Sequence, residues 1–101
     1  MNVVTKKTLM RYIQKYPEAA SWLLTWYETV EFAEWNNFSA VKLIYPSADQ
    51  LADNRVVFNV KGNHYRLIVR FSFKFKLVQI KWFGRHKEYD QINVLTVQPE
   101  F

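Results

Sequence analysis

The chain has 101 residues, half of them hydrophobic and 18% aromatic, with two glycines, three prolines and no cysteine. That supports one small core burying about 60 to 65% of the unfolded surface, and argues against disordered, collagen-like, disulfide-stapled and thiolate-metal proteins. The formal net charge is +5, and no apolar run approaches the roughly 18 residues of a membrane span.

Charge is segregated along the chain. The first 15 residues carry Lys6, Lys7, Arg11 and Lys15 without an acid, residues 16–53 carry six acids against Lys42, and Asn54 to Lys87 hold nine bases and no acid. Basic residues keep exposed strands from pairing, which is the bland explanation. The alternative is a polyanion or an acidic protein partner, and aromatics among the bases suit RNA.

Charges interrupt MNVVTKKTLMRYIQKY where a signal peptide needs its apolar stretch, so no export signal and a cytoplasmic location are expected. Thr5 followed by Leu9, Tyr12, Ile13 and Tyr16 at helical spacing predicts a first helix from about Lys6 to Tyr16, ended by Pro17. Proline suits a first helical turn and Glu18 its positive end, so a second helix is predicted through about Trp35. Its apolar stripe is Ala19, Ala20, Leu23, Trp26, Tyr27, Val30 and Ala33, with Glu28, Glu31 and Glu34 on a solvated face. Trp22 and Trp26 read as packing residues. The segment from Phe38 to Tyr45 suits a short helix or a strand, and Pro46 opens an irregular stretch.

Near residue 55 the period changes. Arg55–Val60 is β-branched and aromatic, KGN at 61–63 is a turn signal, and in HYRLIVRFSF Tyr65, Leu67, Val69, Phe71 and Phe73 alternate with Arg66, Ile68, Arg70, Ser72 and Lys74. KLVQIKWFG up to Gly84 predicts a third strand, and RHKEYDQI a helical turn or loop. The predicted fold is α+β: two N-terminal helices on a small, mostly antiparallel sheet with a short C-terminal helical turn, one domain over 1–101.

Two histidines and no HExxH, CxxC or DxDxDG pattern make a structural metal improbable. Gly62 and Gly84 are isolated, as turn glycines are, and no phosphate loop or nucleophile elbow is present. His64 reads as a turn residue. A metal-free constellation remains around the hairpin (Lys61, His64, Arg66, Arg70) and after the last strand (Arg85 to Asp90).

These residues carry a resemblance. Phe58 to Arg66 (F-N-V-x-G-N-x-x-R), His86 to Asp90 (H-x-E-Y-D) and YPSAD at Tyr45 to Asp49 resemble the HigB family of type II toxins, within the RelE-like messenger-RNA interferases. Arg85 departs from the family, whose members more often carry Thr before the His.

The resemblance implies metal-free, cofactor-free cleavage of messenger RNA on the ribosome, by attack of a ribose 2'-hydroxyl on the adjacent phosphate. Such chemistry needs a base, an acid and cations for the phosphorane. It points to Arg66, His86, Tyr89 and Lys61 as the catalytic set, and to Arg70, Lys81, Arg85 and Lys87 as RNA contacts. Arg66 and Arg70 share a strand face but stand roughly 13 Å apart along it, so Arg66 is assigned the scissile phosphate and Arg70 a neighbouring one. His has an ordinary pKa near neutrality and can take either proton role, though His86 also reads as a surface residue and Tyr89 as a core aromatic or base-stacking group. Glu88 and Asp90 would repel phosphate directly, so they are expected to orient His86 or Lys61. Implied partners are messenger RNA on the ribosome and a HigA-like helix-turn-helix antitoxin, with DNA reached only through the antitoxin and no membrane.

The competing accounts are a non-catalytic RNA-binding module, stacking bases on Tyr65, Phe71 or Trp82, and a protein-binding subunit whose basic face meets an acidic partner.

Overall fold

The computed structural model describes residues 1–101. In chain order the elements are β1 (Asn2–Val3), α1 (Lys6–Lys15), a 3-10 turn (Pro17–Ala19), α2 (Ala20–Phe32), α3 (Phe38–Ile44), β2 (Asp49–Gln50), β3 (Arg55–Val60), β4 (Tyr65–Ser72), β5 (Leu77–Arg85) and α4 (His86–Tyr89). The strands form one sheet ordered β1-β5-β4-β3-β2. Every pairing is antiparallel except β1 with β5. The α+β fold expected from the change of period is therefore the observed one.

Three local differences have physical causes. Pro17 and Glu18 start a 3-10 turn before α2, and α2 ends at Phe32 because Ala33 is extended. There the Met1 amino group donates to the carbonyls of Val30, Glu31 and Ala33, satisfying helix-end acceptors. Glu31 is also less free than a solvated face implies, since its carboxylate accepts from the Val3 N–H at 3.3 Å. The ambiguous segment after Asn37 is a helix, α3, capped by the Asn37 side chain accepting from Ala40 N at 3.1 Å.

The short strands β1 and β2 escape periodicity, since two residues show none. β2 and β3 are joined by residues 51–54 and β3 and β4 by residues 61–64, and in these loops Asp53, Asn54, Lys61 and Gly62 lie in the left-handed region. At Gly62, φ is +66°.

Alternation divides the sheet into two faces. Val56, Phe58, Val60, Tyr65, Leu67, Val69, Phe71, Val78, Ile80 and Phe83 meet Leu9 and Tyr12 of α1, Leu23, Trp26 and Val30 of α2, and Val41 of α3 in one core. Aromatic edges lock it: Trp26 and Tyr45 both pack against Phe58, and Tyr12 and Tyr16 against Phe83. Tyr65 and Phe71 lie in this core, so neither is free to stack a base.

The second face carries Arg66, Ile68 and Arg70 opposite Gly84, Trp82 and Gln79, with Lys81 as an extra bulge residue in β5. It is not an open basic sheet. Arg55 is only 3% exposed, and its guanidinium donates to the carbonyls of Val94 and Val97 at 3.1 and 2.9 Å, so the chain beyond α4 crosses this face. Lys81 Nζ holds the same segment through Gln98 at 3.3 Å. The segment then reaches α1, where Glu100 pairs with Lys15 at 2.9 Å and the Phe101 ring meets Tyr12. No helix is long and apolar enough to cross a membrane.

Candidate active site

Arg66 is the centre of the second face near the hairpin. It is 9% exposed, and its fork is aimed by two acceptors, the Tyr65 carbonyl at 3.0 Å and the Asn63 Oδ1 at 2.9 Å. Asn63 belongs to the turn, so the hairpin that begins at Lys61 and Gly62 also fixes the guanidinium. The Tyr89 ring covers it, with the guanidinium carbon 5.8 Å from the ring centroid.

Tyr89 is brought there by α4. One helical turn puts His86, Tyr89 and Asp90 on the same side, and the His86 amide donates to the His64 carbonyl at 3.0 Å, tying α4 to the hairpin turn. Asp90 Oδ2 stands 3.8 Å from His86 Nδ1, a nitrogen buried without a hydrogen-bond partner. That distance is too long for a hydrogen bond, and the two groups form an ion pair only when the imidazole carries a second proton.

Trp82 completes the aromatic wall, 6.3 Å from Tyr89 between ring centroids. Its indole lies across Gly84, the partner of Arg66 in the ladder, where a Cβ would come within 2.6 Å of two ring carbons. Gly84 is required by close approach and not by a turn.

Burial pushes the Tyr89 hydroxyl above the usual tyrosine range, while Arg66 pulls it the other way and Asp49 and Asp90 add to the rise. At neutral pH the phenol therefore keeps its proton. The arrangement is a fixed cation, a protonated phenol and an imidazole beside a carboxylate.

The other predicted residues lie elsewhere. Lys61 Nζ turns to the helical side and donates to the Glu18 carbonyl at 3.0 Å, away from the Arg66 face. Arg85 also turns that way, stacked over Tyr16 and bordering the same hollow as Tyr65. Glu88 caps α4 through the Arg85 amide at 3.0 Å and accepts from the Tyr16 hydroxyl at 3.1 Å, so it touches neither His86 nor Lys61. Arg70 is held by both oxygens of Asp53 at 3.2 Å, a surface pair worth about 0–1 kcal/mol. Burial and the nearby Arg55 and Arg70 lower the Lys81 ammonium pKa. Lys87 is exposed on α4.

Comparison with known proteins identifies the family. Residues 19–92 match the model of the HigB toxins, described as the RelE-like toxic component of a toxin–antitoxin system. The chain belongs to the HigB toxin family. It is 30% identical over 92 residues to the mRNA interferase toxin HigB of Escherichia coli K12, covering 89% of this chain and 88% of that protein. The mRNA interferases HigB of Escherichia coli O157:H7 and of Shigella flexneri match to the same extent. The matched span runs from the turn before α2 through α4 and contains Arg66, His86, Tyr89 and Asp90. Membership of a toxin–antitoxin family implies an antitoxin partner for this HigB-family chain.

Sequence reasoning left Asn63, Gly84 and Asp49 out of the site. Asn63 stood inside the quoted hairpin block, but its aim at Arg66 depends on the turn geometry. Gly84 is found only through the β4–β5 register.

The Glu88 carboxyl is held below the usual carboxylate range, first by the Arg85 amide, with burial opposing and Tyr16, Lys15 and Arg85 assisting. A depressed folded pKa contributes stability above the unfolded value and loses it as pH falls through the folded one. Glu88→Gln should therefore melt lower than wild type near neutrality, with the two profiles converging in a Tm–pH series as pH falls through the depressed Glu88 pKa.

Proposed function

We propose that residues 1–101 form a single toxin domain that cuts messenger RNA on the ribosome, in the cytoplasm, without metal or cofactor, and that a HigA-like antitoxin neutralises it. The observation that carries this reading is the buried Arg66 fork under Tyr89, with His86 and Asp90 on the same helical turn. In this reading Arg66 holds the scissile phosphate and stabilises the extra charge that develops on it. His86, with Asp90 beside it, takes the proton from the ribose 2'-hydroxyl as O2' bonds to phosphorus. Tyr89, kept protonated by burial, gives its proton to the departing 5'-oxygen. The products are a 2',3'-cyclic phosphate and a 5'-hydroxyl. Arg70 can exchange Asp53 for a flanking phosphate because a surface pair is weak.

The test is induction in bacteria with and without the antitoxin. Wild type should arrest growth and leave cut messengers with cyclic phosphate ends, and His86→Ala combined with Tyr89→Phe should do neither. If the chain binds RNA but leaves it intact, a non-catalytic module replaces this reading.

Gly84→Ala probes the wall. The new methyl group must displace the Trp82 indole, and a shift of about 1 Å at such a site costs up to about 10²-fold. Cleavage should fall while the fold persists, with a shifted tryptophan emission as the structural check.

A further inference from the structure

On the helical side of the same hairpin lie two adjoining hollows that the cleavage chemistry does not use. One, of about 420 Å³, is lined by Ser21, Trp22, Thr25, Trp26 and Tyr45, together with Glu18 and Lys61. The other, of about 260 Å³, is lined by His64, Tyr65 and Arg85 and again by Glu18 and Lys61. Because Glu18 and Lys61 border both, the hollows form one groove: an aromatic chamber opening onto a basic one. We propose that this groove is a nucleotide subsite for the RNA beside the cleaved bond, taking one unstacked base in the aromatic chamber and its phosphate in the basic one.

The inference rests on the proposed RNA cleavage and adds to it a second point of contact. The aromatic chamber lies within the volume range of small-ligand sites, about 300–1,000 Å³. The rings of Trp22 and Tyr45 stand 6.0 Å apart at 50° and are only half-buried, so each offers a face for stacking. Ser21 and Thr25 add exposed hydroxyls at the mouth. In the basic chamber Lys61, His64 and Arg85 are all exposed and come from three different backbone positions around one hollow, as a phosphate requires.

Glu18 does not spoil that field. Its carboxylate accepts from the Tyr65 hydroxyl and lies in the field of Arg85 and Lys61. Having no proton to donate, it suits a base with an exocyclic amine. Placement also fits. The turn that carries Lys61 and His64 carries Asn63, which holds Arg66 on the opposite side, so a strand crossing the turn meets the cleavage site and the groove in succession.

The experiment uses the whole protein with a 2'-O-methylated RNA, which the proposed reaction leaves uncut, programmed into ribosomes and carrying 5-iodocytidine at successive positions. Irradiation should attach one flanking position to Trp22 or Tyr45 and a different one to Trp82 or Tyr89, mapped by peptide mass spectrometry. Lys61→Glu should lower the first adduct at least tenfold and leave the second within twofold. Adducts at Trp82 or Tyr89 alone overturn the subsite and leave the cleavage reading intact. Absence of both, with intact messengers in cells, overturns both. If Trp22 is shielded by the antitoxin but never labelled by RNA, the groove belongs to a protein partner and the proposal fails.

Discussion

Arg66→Ala is expected to lower the cleavage rate by about 10²- to 10³-fold, the loss of roughly 2.7–4 kcal/mol seen when one preorganised donor to a developing anion is removed. The side chain is nearly enclosed, so truncation also leaves Asn63 Oδ1 and the Tyr65 carbonyl without their donor. A melting curve separates the two effects: unchanged Tm with lost cleavage assigns Arg66 to the transition state, and a parallel fall in both assigns it to the fold. Arg66→Lys sharpens the test. It keeps the charge, but a lysine lacks the planar fork that reaches both acceptors and a phosphate at once. Most of the activity should therefore remain lost, and full recovery would reduce the role of Arg66 to charge alone.

Tyr89→Phe should cost about 10²- to 10⁴-fold, as for removal of a general acid. The ring stays over Arg66 and against Trp82, so packing is conserved and Tm should change little. The pH profile carries the sign. Burial raises the Tyr89 pKa, so wild-type cleavage should hold into alkaline solution and fall only above the ordinary tyrosine range. Tyr89→Phe should lack that alkaline limb. Equal activity in the two proteins would leave Tyr89 a stacking residue.

The division of the sheet into a core face and an Arg66 face could be read directly from the alternation in YRLIVRFS, because each inward residue is apolar and the strand has eight residues over which to repeat. His86, Tyr89 and Asp90 were equally legible, since a single helical turn gathers them whatever surrounds it. Lys61 and Arg85 were not. Both sit at strand ends, where the side-chain direction is set by the turn or by the next element, and the stack on Tyr16 and the bond to the Glu18 carbonyl draw them to the helices. The nine-base stretch likewise suggested a continuous cationic face, whereas Arg55 is spent on holding the chain past α4 and Arg70 is matched by Asp53. Irregular chain held by backbone carbonyls leaves no periodic mark, so its path over the sheet was invisible beforehand.

The contact between Thr5 Oγ1 and the Ile80 amide joins positions 75 residues apart, and β1 likewise has no strand partner until β5 exists. At synthesis rates of about 5–20 residues per second, α1 waits roughly 4 to 15 seconds for β5 to appear, whereas α2, whose Trp26 meets Phe58 of β3, waits less than half as long. During that interval Leu9 and Tyr12 have no β5 to cover them, and contacts of such long range are slow to close even afterwards. Tyr89 can reach Arg66 only once β5 and α4 have been made. A ribosome making the chain therefore holds a nascent product whose candidate site is not yet assembled, and the same delay leaves the apolar face of α1 open to a chaperone or to aggregation before the toxin is complete.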